Sequence, residues 1–357
     1  MNGKCKYMQI AIELAKKGKG EVYVNPLVGC VIVKNNEIVG EGWHQHFGGN
    51  HAEVNAIIDA GSDAKGADLY VTLEPCNSYG KKPPCTHVII NAGIKRVYYA
   101  LTDNNVLGSR EILIKNGVEV YKGLLQKKSK TLIRDYLKYL KSSSKVSVKA
   151  AMTLDGKIAT YSYDSKWITS KESRDIVHKI RAQYDAVLVG TNTALRDNPF
   201  LTTHSKNLKN PVRVVIDSKF KLPASYHLFD ASLPTVILYD SNIKKIPAKF
   251  LNKKGIIPVP FDINAAKRDF NVIIKKLNFL SLKRILIEGG SEVIASALFS
   301  NAVDDIYFFI APKIIGGKDA IPVVGGAGVE KISKSLNVKN MKIKKIGSDL
   351  FVTGQIK

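Results

Sequence analysis

One histidine, one glutamate and two cysteines constrain this chain more than any other part of its sequence. Glu53 follows His51 after one residue, Cys76 follows Pro75, and eight residues separate Cys76 from Cys85. One imidazole and two thiolates suit zinc, which keeps its fourth coordination position for water when the site is catalytic. A glutamate beside such a site carries protons instead of binding the metal. The pattern predicts a zinc-dependent deaminase centre, and it requires a fold that brings these distant segments together.

Two structural interpretations of the same residues stay open at this point. Asn50 followed by Glu53 is typical of a capping box, in which Glu53 would only satisfy the start of a helix. Cys76 and Cys85 would in that case form a structural zinc clip or be inert buried thiols. The order and spacing of all four residues favour the deaminase interpretation. Glu53 can also serve both purposes, because a carboxylate in the first helical turn suits the helix dipole.

The composition predicts a two-domain protein of the cytoplasm. The chain has 357 residues, which is long for one domain, and only four cysteines, which are too few for a disulfide scaffold. Cys30 lies in an apolar run at residues 28–33 and is predicted to be core. Glu13 and the neighbouring lysines interrupt the first apolar stretch, so no signal peptide is expected. No apolar run is long enough to cross a membrane.

The charge of the chain is strongly positive. Its 54 lysines and arginines exceed its 31 acidic residues, which gives a net charge of +23. Such a field attracts anions, including nucleic acid, phosphorylated substrates and dinucleotides. The lysines are scattered, however, and residues 331–345 are predicted to be solvated surface. No nucleic-acid partner is therefore expected.

Residues 1–145 are predicted to form a three-layer α/β domain. Helical periodicity and short apolar runs alternate along this part of the chain, and Asn35-Asn36 marks a hairpin turn. Residues 141–145 are polar and small, which indicates a linker. The helices are predicted at 6–16, 51–60, 85–91 and 125–140, with one more before the last strand, and the strands at 28–33, 37–43, 69–73, 96–101 and 118–121.

Residues 146–357 are predicted to form a second α/β domain. Gly289-Gly290 leaves a strand and opens a helix, a geometry that suits a pyrophosphate because the helix start supplies amide donors. No full Gly-x-Gly-x-x-Gly fingerprint is present, so a standard Rossmann domain is not expected. Residues 240–282 carry little signal. The strands are predicted at 146–150, 186–189, 212–216, 236–239, 284–287 and 306–310.

Several motifs together resemble the bifunctional pyrimidine deaminase/reductase family of riboflavin biosynthesis. In the first half they are His51-Ala52-Glu53-Val54, Thr72-Leu73-Glu74-Pro75-Cys76 and Pro83-Pro84-Cys85. In the second half they are the segments 149–159, 165–170 and 287–291, with Asp197-Asn198-Pro199 and Ala311-Pro312-Lys313. The resemblance implies a cytidine-deaminase-like first domain and a second domain with a fold like dihydrofolate reductase. It also implies one zinc ion per chain, NADPH as the second cofactor, and a homo-oligomer, dimer or tetramer.

The resemblance also implies roles for individual residues. His51, Cys76 and Cys85 would bind zinc, and Glu53 would shuttle protons. Lys149 would donate a proton or anchor the ribose near the carbon being reduced, and Arg181 would serve as a phosphate fork. The implied NADPH contacts are Ala151, Trp167, Thr193, Asp197, Ser218, Gly290, Ser291, Glu292, Val293, Ile294, Ala295 and Ser296. The implied substrate contacts are Asn25, His44, Asp103, Asn105, Ser165, Arg181, Leu201, His204 and Glu288.

Three segments depart from the family pattern. Asn77-Ser78 stands where the family usually has Ser-His, and the loop after Asp103 has lost both family prolines. His204 stands where an arginine often follows Leu-Thr-x, so a phosphate contact would be weaker or supplied by Lys206 or Arg213. These departures affect the expected substrate affinity more than the expected chemistry.

The function expected on this resemblance has two steps. The first is zinc-dependent hydrolytic deamination of 2,5-diamino-6-(5-phosphoribosylamino)pyrimidin-4-one, and the second is NADPH reduction of the ribosyl to a ribityl side chain. One alternative is a deaminase of nucleic acid or of another aminopyrimidine, with an appended reductase. The other is a structural-zinc scaffold in which only the reductase is active.

Overall fold

The chain forms two compact units, Met1–Ser142 and Ser143–Lys357. The computed structural model describes residues 3–77, 83–103, 108–251 and 253–356. In the first unit the strands are β1 Gly29–Lys34, β2 Glu37–Trp43, β3 Asp68–Val71, β4 Arg96–Tyr99 and β5 Glu119–Lys122. Its helices are α1 Gly3–Lys16, α2 Ala52–Ala60, α3 Cys85–Asn91, α4 Ser109–Lys115, α5 Gln126–Leu132 and α6 Arg134–Lys141.

The first unit is built on a five-stranded sheet of order β2-β1-β3-β4-β5. The β1–β2 hairpin turns at Asn35 and Asn36, which both have positive φ, the backbone that a tight hairpin turn requires. β3, β4 and β5 run parallel to one another. Because parallel strands end at the same edge of a sheet, the segments after β3 and β4 meet there.

Alternating side chains of β1 divide the core of this unit between the two faces of the sheet. Cys30 and Ile32 pack with apolar residues of α2, α3 and α4, whereas Val31 and Val33 pack with those of α1. The predicted three layers are therefore present, and the prediction that Cys30 is core is confirmed.

The predicted last helix of this unit is two helices. α5 ends at Leu132 and α6 begins at Arg134, with Ile133 between them in a non-helical conformation of φ −105° and ψ 20°. Ile133 is buried against Leu73 and Leu101. Packing of this one side chain under the sheet edge breaks a pattern that looks continuous in the sequence.

The second unit contains a nine-stranded sheet of order β11-β10-β9-β8-β12-β6-β13-β16-β15 and a small β7–β14 pair. Its strands are β6 Lys145–Thr153, β7 Lys157–Ala159, β8 Ala186–Gly190, β9 Val212–Ile216, β10 Thr235–Asp240, β11 Ile256–Phe261, β12 Arg284–Ile287, β13 Asp305–Ala311, β14 Ile321–Pro322, β15 Lys339–Ile346 and β16 Asp349–Gln355. Its helices are α7 Lys171–Arg181, α8 Thr191–Asp197, α9 Ala248–Leu251, α10 Ile263–Arg268, α11 Asn271–Phe279 and α12 Ser291–Phe299.

The middle strands of the large sheet are parallel, and β16 and β15 close one end antiparallel. All six strands predicted in this unit are present. The prediction of solvated surface at 331–345 is confirmed, since the side chains there are almost all exposed, and part of this surface is the edge strand β15. Ligands of open α/β sheets bind outside the carboxyl ends of parallel strands, and β12, β8 and β9 end together at one such edge.

Candidate active sites

Two helix starts and one loop bring the predicted zinc ligands together. His51 is the N-cap residue of α2, Cys85 is the first residue of α3, and Cys76 lies in the segment after β3. His51 Nδ1 lies 3.2 Å from Cys85 Sγ and 3.5 Å from Cys76 Sγ, and the three ligand atoms lie within 4.8 Å of one another. One nitrogen and two sulfurs at these separations fit a tetrahedral zinc site with one open position.

The Cys76 thiol is prepared for metal binding by its neighbours. Its sulfur accepts the backbone N–H of Cys85 at 3.3 Å. Hydrogen bonding from the Cys85 side chain, with a further contribution from His51, lowers the pKa of Cys76 to about 4. The thiolate, which is the form that binds zinc, therefore prevails at neutral pH.

Glu53 lies in the first turn of α2 and is only 3% exposed. Burial is the largest influence on its carboxyl group and raises its pKa, the charge of Cys76 adds to this effect, and His51 opposes it. A carboxyl group with a raised pKa holds its proton to a higher pH than an exposed one, which suits a group that must both accept and donate a proton. The capping-box interpretation is wrong, because the N-cap of α2 is His51 and no side-chain cap hydrogen bond is made there.

Asn25 and His44 lie beside the predicted zinc ligands. The His44 ring packs edge-on against His51, with ring centroids 5.7 Å apart. His44 Nδ1 lies 3.0 Å from the Asn50 carbonyl and must donate to it, so His44 Nε2 is left to accept from Asn25 Nδ2 at 3.2 Å. Burial lowers the pKa of His44 to about 4, so the ring is neutral at pH 7. This chain of hydrogen bonds fixes the orientation of the Asn25 amide.

Glu74 joins the two loops at the sheet edge, and the sequence analysis gave it no role. It is buried, and its Oε2 accepts the backbone N–H of Asp103 at 3.3 Å. Burial raises the pKa of Glu74. The sequence carried a signal for Glu74, because a charged residue directly before Pro75, just after a buried strand, is unusual. Asn105, Ser78 and Asn104 lie outside the described residues.

A buried three-residue ion cluster lies at the carboxyl edge of the second sheet. Glu288 follows β12, Lys149 is on β6, and Arg181 ends α7. Lys149 Nζ lies 3.0 Å from Glu288 Oε2, and Arg181 donates to both carboxylate oxygens at 2.7 and 2.9 Å. Although burial alone would raise it, the pKa of Glu288 is held well below its ordinary value by Arg181 and Lys149.

The fork of Arg181 is therefore turned towards protein groups. Its third hydrogen bond runs from Nη1 to the Thr202 carbonyl at 2.7 Å. The phosphate role of Arg181 stays a prediction. Arg213 is no substitute for it, and the suggestion that Arg213 contacts phosphate is wrong. Its side chain is fully buried and donates to Thr235, Asp230 and the backbone carbonyls of 227, 230 and 233.

Close backbone contacts surround the predicted pyrophosphate site at the start of α12. Gly190 N donates to the Gly289 carbonyl at 2.9 Å. Gly289 has φ +121°, and a Cβ on Gly290 would come 2.9 Å from Thr193 Oγ1. Side chains are thus excluded here, and a ligand can approach the backbone closely.

Only part of the predicted NADPH segment in α12 faces outward. Ser291, Glu292 and Val293 form the first turn, whose N–H groups have no intrahelical partner. Ile294 and Ala295 are buried, and Ile294 N is bonded to the Gly290 carbonyl. Ser291 Oγ donates to the Pro322 carbonyl at 2.6 Å, and Glu292 accepts from Gly326 N at 3.1 Å. Ser296 is half-buried one turn further on.

The other predicted contacts of the second unit are spread around the same sheet edge. Ser165 Oγ lies 3.4 Å from Asp197 Oδ1, and both line a pocket of about 300 Å³. Trp167 is 65% exposed, with the Arg174 guanidinium 4.4 Å from its ring centroid. Ala151 is on β6, opposite Phe309, and Ser218 follows β9.

Leu201 and His204 differ in accessibility. The Leu201 side chain is buried in the core of the second unit, so only its backbone is available to a ligand. His204 is exposed, and its ring centroid lies 4.7 Å from that of His178.

Comparison with known proteins decides the family. Residues 1–101 match the cytidine and deoxycytidylate deaminase zinc-binding region, and residues 144–352 match the RibD C-terminal domain. The riboflavin biosynthesis protein RibD of Aquifex aeolicus is 41% identical to the chain, over 97% of this chain and 96% of that protein. The protein of the same name from Actinobacillus pleuropneumoniae is 40% identical, over 97% of this chain and 93% of that protein. The chain belongs to the RibD family.

Solved RibD structures agree with this assignment. The deaminase/reductase of Thermotoga maritima is 37% identical, covers 99% of both chains and gives a TM-score of 0.54. Acinetobacter baumannii RibD, form 1, is 30% identical over 99% of both chains with a TM-score of 0.55. As a RibD family member, the chain is a bifunctional enzyme of riboflavin biosynthesis that acts on a small-molecule pyrimidine. Its deaminase half uses zinc and its reductase half uses NADPH, and the fold class is confirmed.

The helices give one further fact about this RibD family member. Among the residues that the structure describes, none of the helices has the length and apolar character needed to span a bilayer.

Proposed function

We propose that each of the two sites described above performs one of the two steps in this chain. The first removes the amino group from C2 of the diaminopyrimidinone, and the second reduces its ribosyl arm to a ribityl chain. The observation that carries the first assignment is the convergence of His51, Cys76 and Cys85 beside a buried Glu53. A purely structural zinc clip has no need of a buried carboxylate with a raised pKa at that point.

In the deaminase site, His51, Cys76 and Cys85 hold the metal. Bound zinc lowers the pKa of a water molecule and so supplies a nucleophile at neutral pH. Glu53 would accept one proton of the attacking water and pass it to the ring nitrogen. It would then take the second proton from the new hydroxyl group at C2 and give it to the departing amine, so that C2 becomes a carbonyl carbon. A C–O bond forms at C2, the C–N bond breaks, and ammonia leaves. The raised pKa of Glu53 supports this role, because the group must be both base and acid in one turnover.

The pyrimidine is oriented by Asn25, His44, Asp103 and Asn105. The neutral His44 ring fixes the Asn25 amide, and Glu74 positions the backbone at Asp103. The neutral side chains of Asn25 and His44 suit an uncharged heterocycle, because a charged group buried there without a partner would cost desolvation free energy.

In the reductase site, Lys149, Ser165, Arg181, Leu201, His204 and Glu288 hold the phosphorylated substrate. The residues that would hold the cofactor are Ala151, Trp167, Thr193, Asp197, Ser218 and residues 290–296. Bound NADPH supplies the hydride for the ribose carbon. Lys149 supplies the proton or anchors the ribose, and its ion pair with Glu288, 3.0 Å between Nζ and Oε2, fixes the position of its side chain. Gly289 and Gly290 support close approach of a pyrophosphate.

Domain limits, assembly and location complete the proposal. The deaminase domain spans residues 1–145 and the reductase domain 146–357, a division supported by the compact units that meet at Ser142. The proposal includes a homo-oligomer, dimer or tetramer, and the exposed apolar side chains of Met341 and Ile343 on the edge strand β15 support a contact surface there. Four free cysteines support a reducing cytoplasm. The scattered basic charge favours a phosphorylated pyrimidine over nucleic acid.

The deciding experiment combines Glu53→Gln with two readouts. We expect the variant to bind zinc but release no ammonia from the diaminopyrimidinone, while NADPH oxidation with the deaminated substrate continues at the wild-type rate. Gln keeps the size of the side chain and removes only its proton chemistry. Ammonia release equal to wild type would favour the structural-zinc scaffold. Ammonia release by the wild-type enzyme from single-stranded nucleic acid, but not from the diaminopyrimidinone, would favour the nucleic-acid deaminase.

A further inference from the structure

A second histidine lies beside His204 at the reductase site, and no motif indicated it. His178 is on α7, three residues before Arg181, and its ring centroid is 4.7 Å from that of His204. The Nδ1 atom of His178 is buried and has no hydrogen-bond partner among the residues that the structure describes. A buried polar atom without a partner costs free energy unless something binds to it.

The cation expected at this place is engaged elsewhere. Each of the three nitrogens of Arg181 already donates one hydrogen bond, to Glu288 or to the Thr202 carbonyl. Position 204, where the family resemblance led us to expect an arginine, holds an exposed imidazole. A phosphate group that enters here meets two adjacent imidazoles, and the nearby positive charge of Arg181 is already paired with Glu288.

We propose that His178 and His204 together form a protonation-dependent contact for the phosphate of the reductase substrate. This inference rests on the proposed reductase function, because it takes the phosphorylated substrate to that site. The two rings would bind the phosphate as a charged pair when it is present and be neutral when it is absent. Substrate affinity would then depend on pH in a way that a single arginine does not produce.

Burial and the charged groups around His178 and His204 keep both imidazoles neutral until a phosphate binds. Although its ring is largely exposed, partial desolvation lowers the pKa of His204, and the Arg181 charge adds to the effect. Burial and then Arg181 and His204 also lower the pKa of His178, while Thr202 and Glu288 act in the opposite direction. Asp175, on the same helix, is paired with Lys171. Both imidazoles are therefore neutral in the free enzyme at pH 7, and a bound phosphate must take up protons to gain charged partners.

A third histidine supplies a matched control. Phe200 separates His204 from His227, with ring centroids 6.0 Å from His204 and 3.8 Å from His227. His227→Gln makes the same chemical change as His204→Gln on the far side of that ring. It tests whether loss of any imidazole in this cluster produces the effect.

The experiment measures substrate KM for NADPH oxidation at pH 6 and pH 8, and proton uptake on substrate binding by calorimetry in two buffers at pH 7. The variant His204→Arg carries a permanent charge and corrects for ionisation of the substrate phosphate itself, whose second pKa is about 6. Relative to this variant, we expect wild-type KM to rise about tenfold from pH 6 to pH 8, as a histidine-dependent contact is lost. We also expect greater proton uptake by wild type.

His178→Gln and His204→Gln should bind the substrate weakly at both pH values, and His227→Gln should behave as wild type. If KM depends on pH equally in wild type and His204→Arg, and both take up the same number of protons, the histidine contact is overturned. NADPH oxidation in that case would still uphold the proposed reductase function. Proton uptake without any NADPH oxidation would uphold the histidine contact and overturn the reductase proposal. Absence of substrate binding at either pH would overturn both.

Discussion

Two buried glutamates show how environment sets the behaviour of one residue type. Burial raises the pKa of Glu53, which has no cationic side chain of lysine or arginine among its principal neighbours. Arg181 and Lys149 outweigh the same effect at Glu288 and hold its pKa well below the ordinary value. Glu53 is thus suited to carry protons, and Glu288 to hold a fixed negative charge.

The ion cluster makes a residue-scale prediction for stability. Because the folded pKa of Glu288 lies below its unfolded value, its stabilisation is present above the ordinary carboxyl pKa of about 4.3 and is lost as pH falls further. We expect Glu288→Gln to cost about 3–5 kcal/mol of unfolding free energy at pH 7, since it leaves two buried cations without a partner. The cost should shrink by about 1.4 kcal/mol for each pH unit below about 4.3.

Urea unfolding at pH 7 and pH 3.5 measures this cost. The chain has two tryptophans, Trp43 and Trp167, so a Trp43→Phe background leaves one fluorescent reporter, in the second unit. An unfolding free energy that falls equally at both pH values would show that lost packing, and not charge, causes the effect.

At the scale of elements, the deaminase site depends on how closely α2 rests on β2. A Cβ on Gly40 would meet Ala60, and one on Gly42 would overlap the Ala52 carbonyl and Ala56 N. The two glycines therefore let the helix touch the strand backbone. α2 carries His51 at its start and Glu53 in its first turn, so its height above the sheet sets their position.

Gly42→Ala should displace α2 and weaken zinc binding. We expect a loss of about 1–3 kcal/mol in unfolding free energy from overpacking, together with reduced zinc retention during dialysis against a chelator. The readouts are zinc content and thermal unfolding. Gly3→Ala is the control, because a Cβ there has nothing within 4 Å. Full zinc retention and an unchanged Tm in Gly42→Ala would contradict the argument.

At the scale of the molecule, each unit has its own core and its own site. The zinc ligands all lie in Met1–Ser142, and the ion cluster of Glu288 lies in Ser143–Lys357. Removal of the metal should therefore affect one activity and spare the other. We expect chelation to abolish ammonia release while NADPH oxidation with the deaminated substrate stays within about twofold, as for independent sites.

Readdition of zinc provides the control for this prediction. Ammonia release should return on addition of about one equivalent of zinc per chain. Parallel loss of both activities on chelation would show that the second unit depends on the metal.

Prediction from the sequence succeeded where a local pattern decides the structure. The Asn35-Asn36 turn, α3, β9 and β12 have the predicted limits or lie within one residue of them. β11 and β16 were missed. The pairing of β11 with β10 and of β16 with β13 stabilises them, and such pairings join residues that are distant in sequence.

The sequence by itself indicated the candidate zinc ligands and the glutamate proposed to carry protons, because each is a fixed residue type at a fixed spacing. Its periodicity and apolar runs indicated the two α/β halves. Only the tertiary structure decided what the other charged groups do. It turned Arg181 towards Glu288, buried Arg213 among backbone carbonyls and set His178 beside His204. A side chain's partners depend on which distant segments pack against it, and spacing along the chain carries no information about that packing.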